Sequence, residues 1–192
     1  MAPLILKLKE EKQFKINVCV TAQHREMLDQ VLEIFKIKPD FDLNIMTDSQ
    51  SLESLFSTIL INISKVYEEF NPDLILVHGD TSTTFASSLA AYYKKIPIGH
   101  VEAGLRTNDL FSPWPEEANR KLTASLANLH FSPTISAKKN LINEGIDKEK
   151  IYVTGNTVID SLLIAKNLLN SNEKLKNDID LKIPRFNKDN KM

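Results

Sequence analysis

The chain has 192 residues, of which 42% are hydrophobic and 26% charged, and its formal net charge is −1. This length and composition suit one domain with a sizeable hydrophobic core. A near-neutral charge gives no general attraction to nucleic acids or anionic membranes, so we expect neither as a partner. No apolar run reaches membrane-spanning length and the first residues lack a secretion signal, which makes the cytoplasm the expected location. The single cysteine, Cys19, lies in an apolar run, and we expect it to be a core residue without a disulfide partner.

The apolar pattern predicts helices and strands that alternate along the chain. Predicted helices cover residues 1–11, 25–35, 50–70, 85–93, 136–144 and 158–169, and another begins at Pro115. Predicted strands cover residues 15–21, 43–46, 74–77, 129–133 and 151–154, and one more contains Ile96 and Ile98. This order requires a parallel sheet with right-handed crossovers, so the expected fold class is α/β, a Rossmann-like parallel sheet flanked by helices. We expect a domain at residues 1–169 and a mobile polar tail at residues 170–192.

Polar side chains follow two neighbouring strands of the predicted sheet. His78 and Asp80 come at the end of one strand, and His100 and Glu102 at the end of the next. Alternation along a strand places the two members of each pair on one side for as long as the backbone stays extended. Ligands of open α/β sheets bind outside the carboxyl ends of the strands, so both acidic residues should face one crevice.

A third acidic contribution follows at the start of a helix. Glu116 and Glu117 occupy the first turn after Pro115, where the helix dipole favours negative charge. The loop between Gly104 and Pro113 has to bring that helix back over the strand ends.

Several segments resemble one known family when read in order. They are TAQHREMLDQVL, HGDTSTTFASSLAA, HVEAGLRT, SPWPEEANR, FSPT and TGNTVIDSL. They are similar to segments of the non-hydrolysing UDP-N-acetylglucosamine 2-epimerases, and the resemblance runs from Met1 to about Leu163. It implies that the chain is one half of a two-domain glycosyltransferase-B-like fold. It also implies that the family's first strand, with its Gly-Thr-Arg-Pro-Glu turn, and its second, UDP-binding domain are missing here.

The resemblance implies a reaction as well as a fold. The family interconverts UDP-N-acetylglucosamine and UDP-N-acetylmannosamine by eliminating and re-adding UDP, without a cofactor or metal. Asp80, Glu102 and Glu116 match its acidic catalytic residues. Carboxylates suit this route because they stabilise positive charge at the sugar ring and can exchange a proton at carbon 2.

Further residues match positions that could contact the substrate, UDP-N-acetylglucosamine. His78 is one of them, and Arg106 could meet the diphosphate or form an ion pair with Glu102 or Asp109. Asn119 and Arg120 could reach the substrate or continue an exposed helix face.

Two further features have alternative explanations. Trp114 could be a sugar platform, although packing is the more usual role of an aromatic residue. In bacterial members the turn with Gln23 and His24 helps to hold a second, regulatory nucleotide sugar, but these residues could also solubilise a helix start.

Two other classes of function remain open. His78, Asp80, His100 and Glu102 could form a four-ligand metal site, although the resemblance argues against one. The chain could also catalyse nothing, as an inactive remnant or a binding subunit, because cleft catalysis depends on both walls. The candidate partners are a second copy of the chain, in a homodimer, and a separately encoded carboxyl-terminal domain.

Overall fold

The computed structural model describes residues 1–22, 25–46, 50–173 and 177. The chain divides into a unit from Met1 to Asn156 and a second unit that begins at Thr157. The domain predicted at residues 1–169 stays a prediction. Within the described ranges, no helix combines the length and apolar character that crossing a membrane requires.

The first unit contains six α-helices among its described residues, and the second contributes one. The helices are α1 (Ala2–Glu10), α2 (Arg25–Ile34), α3 (Leu52–Phe70), α4 (Ser82–Tyr93), α5 (Glu116–Leu126), α6 (Ile135–Asn143) and α7 (Thr157–Ser171). The strands are β1 (Cys19–Val20), β2 (Phe41–Asp42), β3 (Ile75–His78), β4 (Ile98–Val101), β5 (Leu129–Ser132) and β6 (Ile151–Val153). The alternation of strands and helices confirms the α/β prediction.

All strand pairs are parallel, as predicted. A four-stranded sheet has the order β3-β4-β5-β6, and β1 pairs with β2 in a separate two-stranded sheet. Val77 of β3 lies opposite His100 of β4, which in turn lies opposite His130 of β5. The carboxyl ends of the four strands consequently meet at one edge, where a polar site can form.

The two-stranded sheet differs from the sequence prediction. The strand predicted at residues 43–46 is absent, and β2 lies just before it, while only Cys19 and Val20 of the predicted strand 15–21 are paired. Left-handed backbone at Asn44 interrupts the second run, and Ala22, just after the first, is also left-handed.

The core lies where α3 and α4 pack on β3 and β4. Ala86, Ser88, Ala90 and Ala91 of α4 are fully buried, and their small side chains allow close approach to the neighbouring elements. Ile63, Val66 and Tyr67 of α3 join the same core. Three helices begin with a hydroxyl cap that accepts a backbone N–H bond, from Ser51, Thr81 and Thr134.

Candidate active site

The turn after β3 presents Asp80 at the carboxyl edge of the sheet. Gly79 has φ +70°, which turns the chain sharply out of the strand. Thr84 Oγ1 donates a hydrogen bond to the carbonyl oxygen of His78 at 2.6 Å, and Thr81 caps the following helix. Asp80 is thus held between the end of a strand and the first turn of α4.

Glu102 follows β4 and has a left-handed backbone with φ +66°. This conformation costs a residue other than glycine about 1–2 kcal/mol. His78 Nε2 lies 3.2 Å from Oε2 of Glu102, and Asn156 Nδ2 donates to Oε1 at 3.4 Å. Burial lowers the pKa of His78, with a further lowering from the nearby Met1 amino group, so we expect a neutral imidazole.

His100 lies apart from Glu102, although strand alternation offered one side for both. Its side chain is fully buried, and its Nε2 lies 2.7 Å from the carbonyl oxygen of Gly79. The left-handed backbone at Glu102 breaks the alternation, so the glutamate turns toward His78 instead. The four-ligand metal set offered by the sequence is therefore not assembled, and the described ranges hold no group of three or more His, Cys, Asp or Glu side chains arranged for a metal.

Arg120 joins the site from α5. Its Nη2 donates to Oδ2 of Asp80 at 2.7 Å, and its Nη1 lies 3.4 Å from Oε2 of Glu117. The Arg120 side chain is only 11% exposed, which excludes the solvent-exposed helix face that the sequence left open. The guanidinium is thus fixed between two carboxylates.

These side chains surround a small polar pocket. Gly79, Asp80, Glu102, Leu105 and Arg120 line a cavity of about 110 Å³. Pockets that hold drug-sized ligands usually measure about 300–1,000 Å³. The cavity can therefore accept part of a sugar, whereas a whole nucleotide sugar would need further walls.

Arg106 contacts neither of the ion-pair partners that the sequence suggested. Its Nε and Nη2 donate to the two carboxylate oxygens of Glu144 at 2.8 and 2.7 Å, and its side chain is 1% exposed. The Arg106 guanidinium lowers the pKa of Glu144 through these hydrogen bonds. This ion pair ties the loop after β4 to the end of α6, and Arg106 is not among the pocket-lining residues.

The remaining predicted site residues have varied surroundings. Glu116 is half-buried in the first turn of α5 and is not among the pocket-lining residues. Asn119 is 7% exposed, and its Nδ2 has no hydrogen-bond partner within the described part of the chain. Trp114 is 61% exposed, so the packed aromatic that we expected is not formed. Gln23 and His24 lie outside the described residues.

The structure also shows roles for Glu117 and Asn156 that the sequence did not indicate. Glu117 is fully buried, and its carboxylate accepts the backbone N–H groups of Thr107 and Asn108, both at 3.1 Å. Asn156 holds Glu102 from a turn 54 residues further along the chain. The spacing of Glu117 and Arg120, three residues apart on one helix, was an available signal for their ion pair.

Comparison with known proteins gives consistent matches. The family model described as UDP-N-acetylglucosamine 2-epimerase matches residues 6–188. The UDP-N-acetylglucosamine 2-epimerase of Escherichia coli K12 is 54% identical over 192 residues, covering 100% of this chain and 51% of that protein. A probable UDP-N-acetylglucosamine 2-epimerase of Ralstonia nicotianae is 58% identical over 175 residues, covering 91% and 47%.

Solved structures agree with these sequence matches. The Neisseria meningitidis UDP-GlcNAc 2-epimerase bound to UDP-GlcNAc superimposes with a TM-score of 0.94 at 52% identity, covering 100% of this chain and 51% of that one. The Methanocaldococcus jannaschii enzyme in complex with UDP-GlcNAc and UDP gives 0.86 at 35% identity, covering 93% and 49%. The chain spans about half the length of the curated relatives it matches. With its parallel α/β sheet and its carboxylate-lined edge, the chain belongs to the UDP-N-acetylglucosamine 2-epimerase family.

Proposed function

We propose that this chain forms the carboxylate-bearing wall of an epimerase cleft that interconverts UDP-N-acetylglucosamine and UDP-N-acetylmannosamine. The observation that carries the proposal is that Asp80 and Glu102 line one pocket together with Arg120. The structural relative from Neisseria meningitidis is described as bound to UDP-GlcNAc. On this proposal Asp80, Glu102 and Glu116 are the acidic groups of the reaction.

The proposed reaction is an elimination followed by an addition. A carboxylate removes the proton from carbon 2 while the bond between carbon 1 and the UDP oxygen breaks. The electron pair of that carbon–oxygen bond leaves with UDP. A double bond forms between carbons 1 and 2, giving 2-acetamidoglucal. Re-addition delivers a proton to the opposite face of carbon 2 and restores the bond between carbon 1 and UDP. No electrons are gained or lost overall, so the route requires no redox cofactor.

The surroundings of the carboxylates support this chemistry. The carbon–oxygen bond that breaks leaves positive charge at the ring, which the negative charges of Asp80 and Glu102 would stabilise. The hydrogen bond from Arg120 to Asp80 and the close approach of His78 to Glu102 hold the two carboxylates before the substrate arrives, so little reorganisation is needed. His78, Asn119 and Arg120 are our proposed substrate contacts, and we assign Arg106 to shaping the loop.

The size of the pocket supports a second binding wall. A cavity of about 110 Å³ leaves most of a nucleotide sugar outside it. We propose that a carboxyl-terminal domain supplies the missing contacts to the uridine diphosphate, and that the chain self-associates as a homodimer. Cytoplasmic location and regulation through Gln23 and His24 remain predictions from the sequence.

The test is epimerisation in deuterated buffer. The chain is assayed alone and mixed with the separately expressed carboxyl-terminal domain of the Escherichia coli relative, and deuterium at carbon 2 of the nucleotide sugar is read by mass spectrometry. We expect incorporation in the mixture, because the second wall supplies the binding energy that orients the sugar. Asp80→Asn and Glu102→Gln should each lower incorporation by a factor of about 100 or more.

A matched variant controls for the loss of a carboxylate in general. Glu69 is exposed on α3, away from the strand ends, so Glu69→Gln should incorporate deuterium at the unmodified rate. Folded protein that gives no incorporation in either sample would reject the catalytic proposal and favour a binding role. Equal losses of deuterium incorporation in Glu69→Gln and Asp80→Asn would show that the assigned carboxylates have no specific role in the reaction.

A further inference from the structure

Glu117 is a buried charged group whose role the proposed reaction leaves unexplained. Its side chain is fully buried at the start of α5. Oε1 accepts the N–H of Asn108, and Oε2 accepts the N–H of Thr107 and also faces Nη1 of Arg120. A buried carboxylate keeps its charge only when donors surround it in this way, and losing one side of such an arrangement is costly.

Of the two groups that Glu117 holds, Arg120 lines the pocket and the loop segment Thr107–Asn108 follows a pocket-lining residue. Thr107 and Asn108 follow Leu105, which lines the cavity, so the backbone bonds to Glu117 fix this part of the loop. Arg120 also lines the cavity, and its other terminal nitrogen donates to Asp80 at 2.7 Å. One buried carboxylate therefore restrains two sides of the same pocket.

The neighbouring glutamate does not duplicate this arrangement. Glu116 precedes Glu117 by one residue and so faces a different direction on the helix. It is half-buried, and its side chain has no hydrogen-bond or ion-pair partner in the described parts of the chain. The two glutamates are neighbours in the sequence and have the same side chain, but their contacts differ completely.

From these contacts we infer that Glu117 is a positioning residue, which holds Arg120 against Asp80 and fixes the loop segment that follows the pocket-lining residue Leu105. The inference rests on the proposed function in one respect, namely that Asp80 takes part in the reaction. Glu117 itself acts through Arg120 and through the loop backbone. It has no direct contact with the cavity, since the pocket-lining residues do not include it.

The test uses Glu117→Gln in the whole chain. Glutamine has nearly the same shape but no charge, and its NH₂ group would face either a backbone N–H or the guanidinium, both of which are donors. Hydrogen exchange of the Thr107 and Asn108 amides reports the loop, and we expect it to accelerate about 10- to 100-fold. A ¹³C-detected spectrum of the arginine guanidinium groups reports Arg120, whose slow rotation between two carboxylates should be lost.

Glu144→Gln is the matched control. This variant removes a partly buried carboxylate that binds Arg106, an arginine of the loop before α5. It leaves the contacts of Glu117 and Arg120 unchanged. We expect the Arg120 signal to stay as in the unmodified chain. Rotation of Arg120 that is unchanged in Glu117→Gln, or equally altered in Glu144→Gln, would overturn the inference.

A second variant covers the case in which Glu117→Gln fails to fold. Arg120→Lys keeps a positive charge near Glu117, but one ammonium group cannot place separate nitrogens on two carboxylates. We expect Thr107 and Asn108 to remain protected from exchange in this variant, because Glu117 still accepts their N–H bonds. Loss of that protection would show that Arg120, and not Glu117, fixes the loop, and would overturn the assignment.

Turnover in the two-domain mixture separates this inference from the proposed function. Glu117→Gln should lower the rate at saturating nucleotide sugar by about 10- to 100-fold with a smaller change in KM, because it disturbs Asp80 more than the remote nucleotide contacts. An inactive mixture would reject the proposed function, while the exchange and guanidinium measurements would still decide the role of Glu117. A change in KM alone would contradict positioning of Asp80.

Discussion

Residues of one type take different roles in this chain according to what surrounds them. His78 contacts the carboxylate of Glu102 at the sheet edge, whereas His100 is buried in the sheet against the carbonyl oxygen of Gly79. Glu116 and Glu117 differ in the same way at the start of α5. Burial and partner geometry, more than residue type, therefore decide which side chains belong to the site.

Cys19 provides a test of burial at the residue scale. Burial raises the pKa of its thiol to about 12, with a smaller contribution from Asp42. Because the thiolate is the reactive form, iodoacetamide should modify native Cys19 at pH 8 about a thousand times more slowly than it modifies an exposed cysteine. Mass spectrometry over time, with N-acetylcysteine as reference and the urea-unfolded chain as control, measures the rate. Equal rates in the native and unfolded chain would contradict the predicted burial.

At the scale of elements, the loop between β4 and α5 is fixed at three places. Gly104 packs closely against the backbone of α6, Arg106 binds Glu144, and the backbone after it binds Glu117. Two of these contacts reach α6 and its end, and the third reaches α5. The loop is therefore a rigid wall of the pocket, and its position depends on how α5 and α6 pack.

Gly104→Ala tests the tightest of these contacts. A Cβ at this position would overlap the carbonyl oxygen of Ala137, and the backbone has φ +93°. We expect the free energy of unfolding to fall by about 3–5 kcal/mol, from overpacking and backbone strain together. Gly145→Ala is the control, since Gly145 has φ +87° but nothing within 4 Å of the new Cβ. It should cost only about 1–2 kcal/mol. Urea unfolding measures both, and similar losses would argue against the close approach.

Much of the order of helices and strands could be predicted from the sequence. Long segments of periodic apolar residues, and the polar turns between them, can be located directly. The helix predicted at residues 50–70 is α3, and the strand predicted at 74–77 is β3 within one residue. The strand predicted at 43–46 was wrong, since its apolar residues alternate as a strand does while Asn44 adopts a left-handed backbone. A single backbone angle of this kind leaves little trace in an apolar pattern.

In the candidate site, too, some features could be predicted from the sequence and others could not. Asp80 and Glu102 were predictable because they follow buried strands, whose carboxyl ends must meet. The partner of Arg106 was not, because Glu144 is 38 residues away and lies beside it only through the packing of α6. Contacts made by tertiary packing need the structure, even where both residues are conspicuous in the sequence.

At the scale of the whole molecule, buried histidines couple the fold to pH. His100 and His130 are paired across β4 and β5 and are both almost completely buried. Burial lowers the pKa of each to about 4. Both imidazoles are therefore neutral in the folded chain at physiological pH, while the unfolded chain binds protons near the ordinary value of about 6.5.

Stability should consequently fall on mild acidification. With the folded pKa below the unfolded one, the unfolded chain binds more protons between pH 6.5 and 4, so stability is complete above about pH 6.5 and declines toward pH 4. Each histidine should contribute on the order of 3 kcal/mol to this loss. Urea midpoints at pH 7, 6 and 5 measure it, and the double variant His100→Gln, His130→Gln should flatten the dependence. A midpoint that is constant from pH 7 to 5 would contradict the prediction.

The left-handed backbone at Glu102 also affects how the protein responds to mutation and selection. Glycine or asparagine would adopt φ +66° with less strain, so a screen that rewards stability alone would favour replacing this residue. Such variants would gain thermal tolerance while losing a carboxylate of the pocket. Attempts to stabilise the chain by directed evolution should therefore hold position 102 fixed, because there folding and the proposed chemistry favour different amino acids.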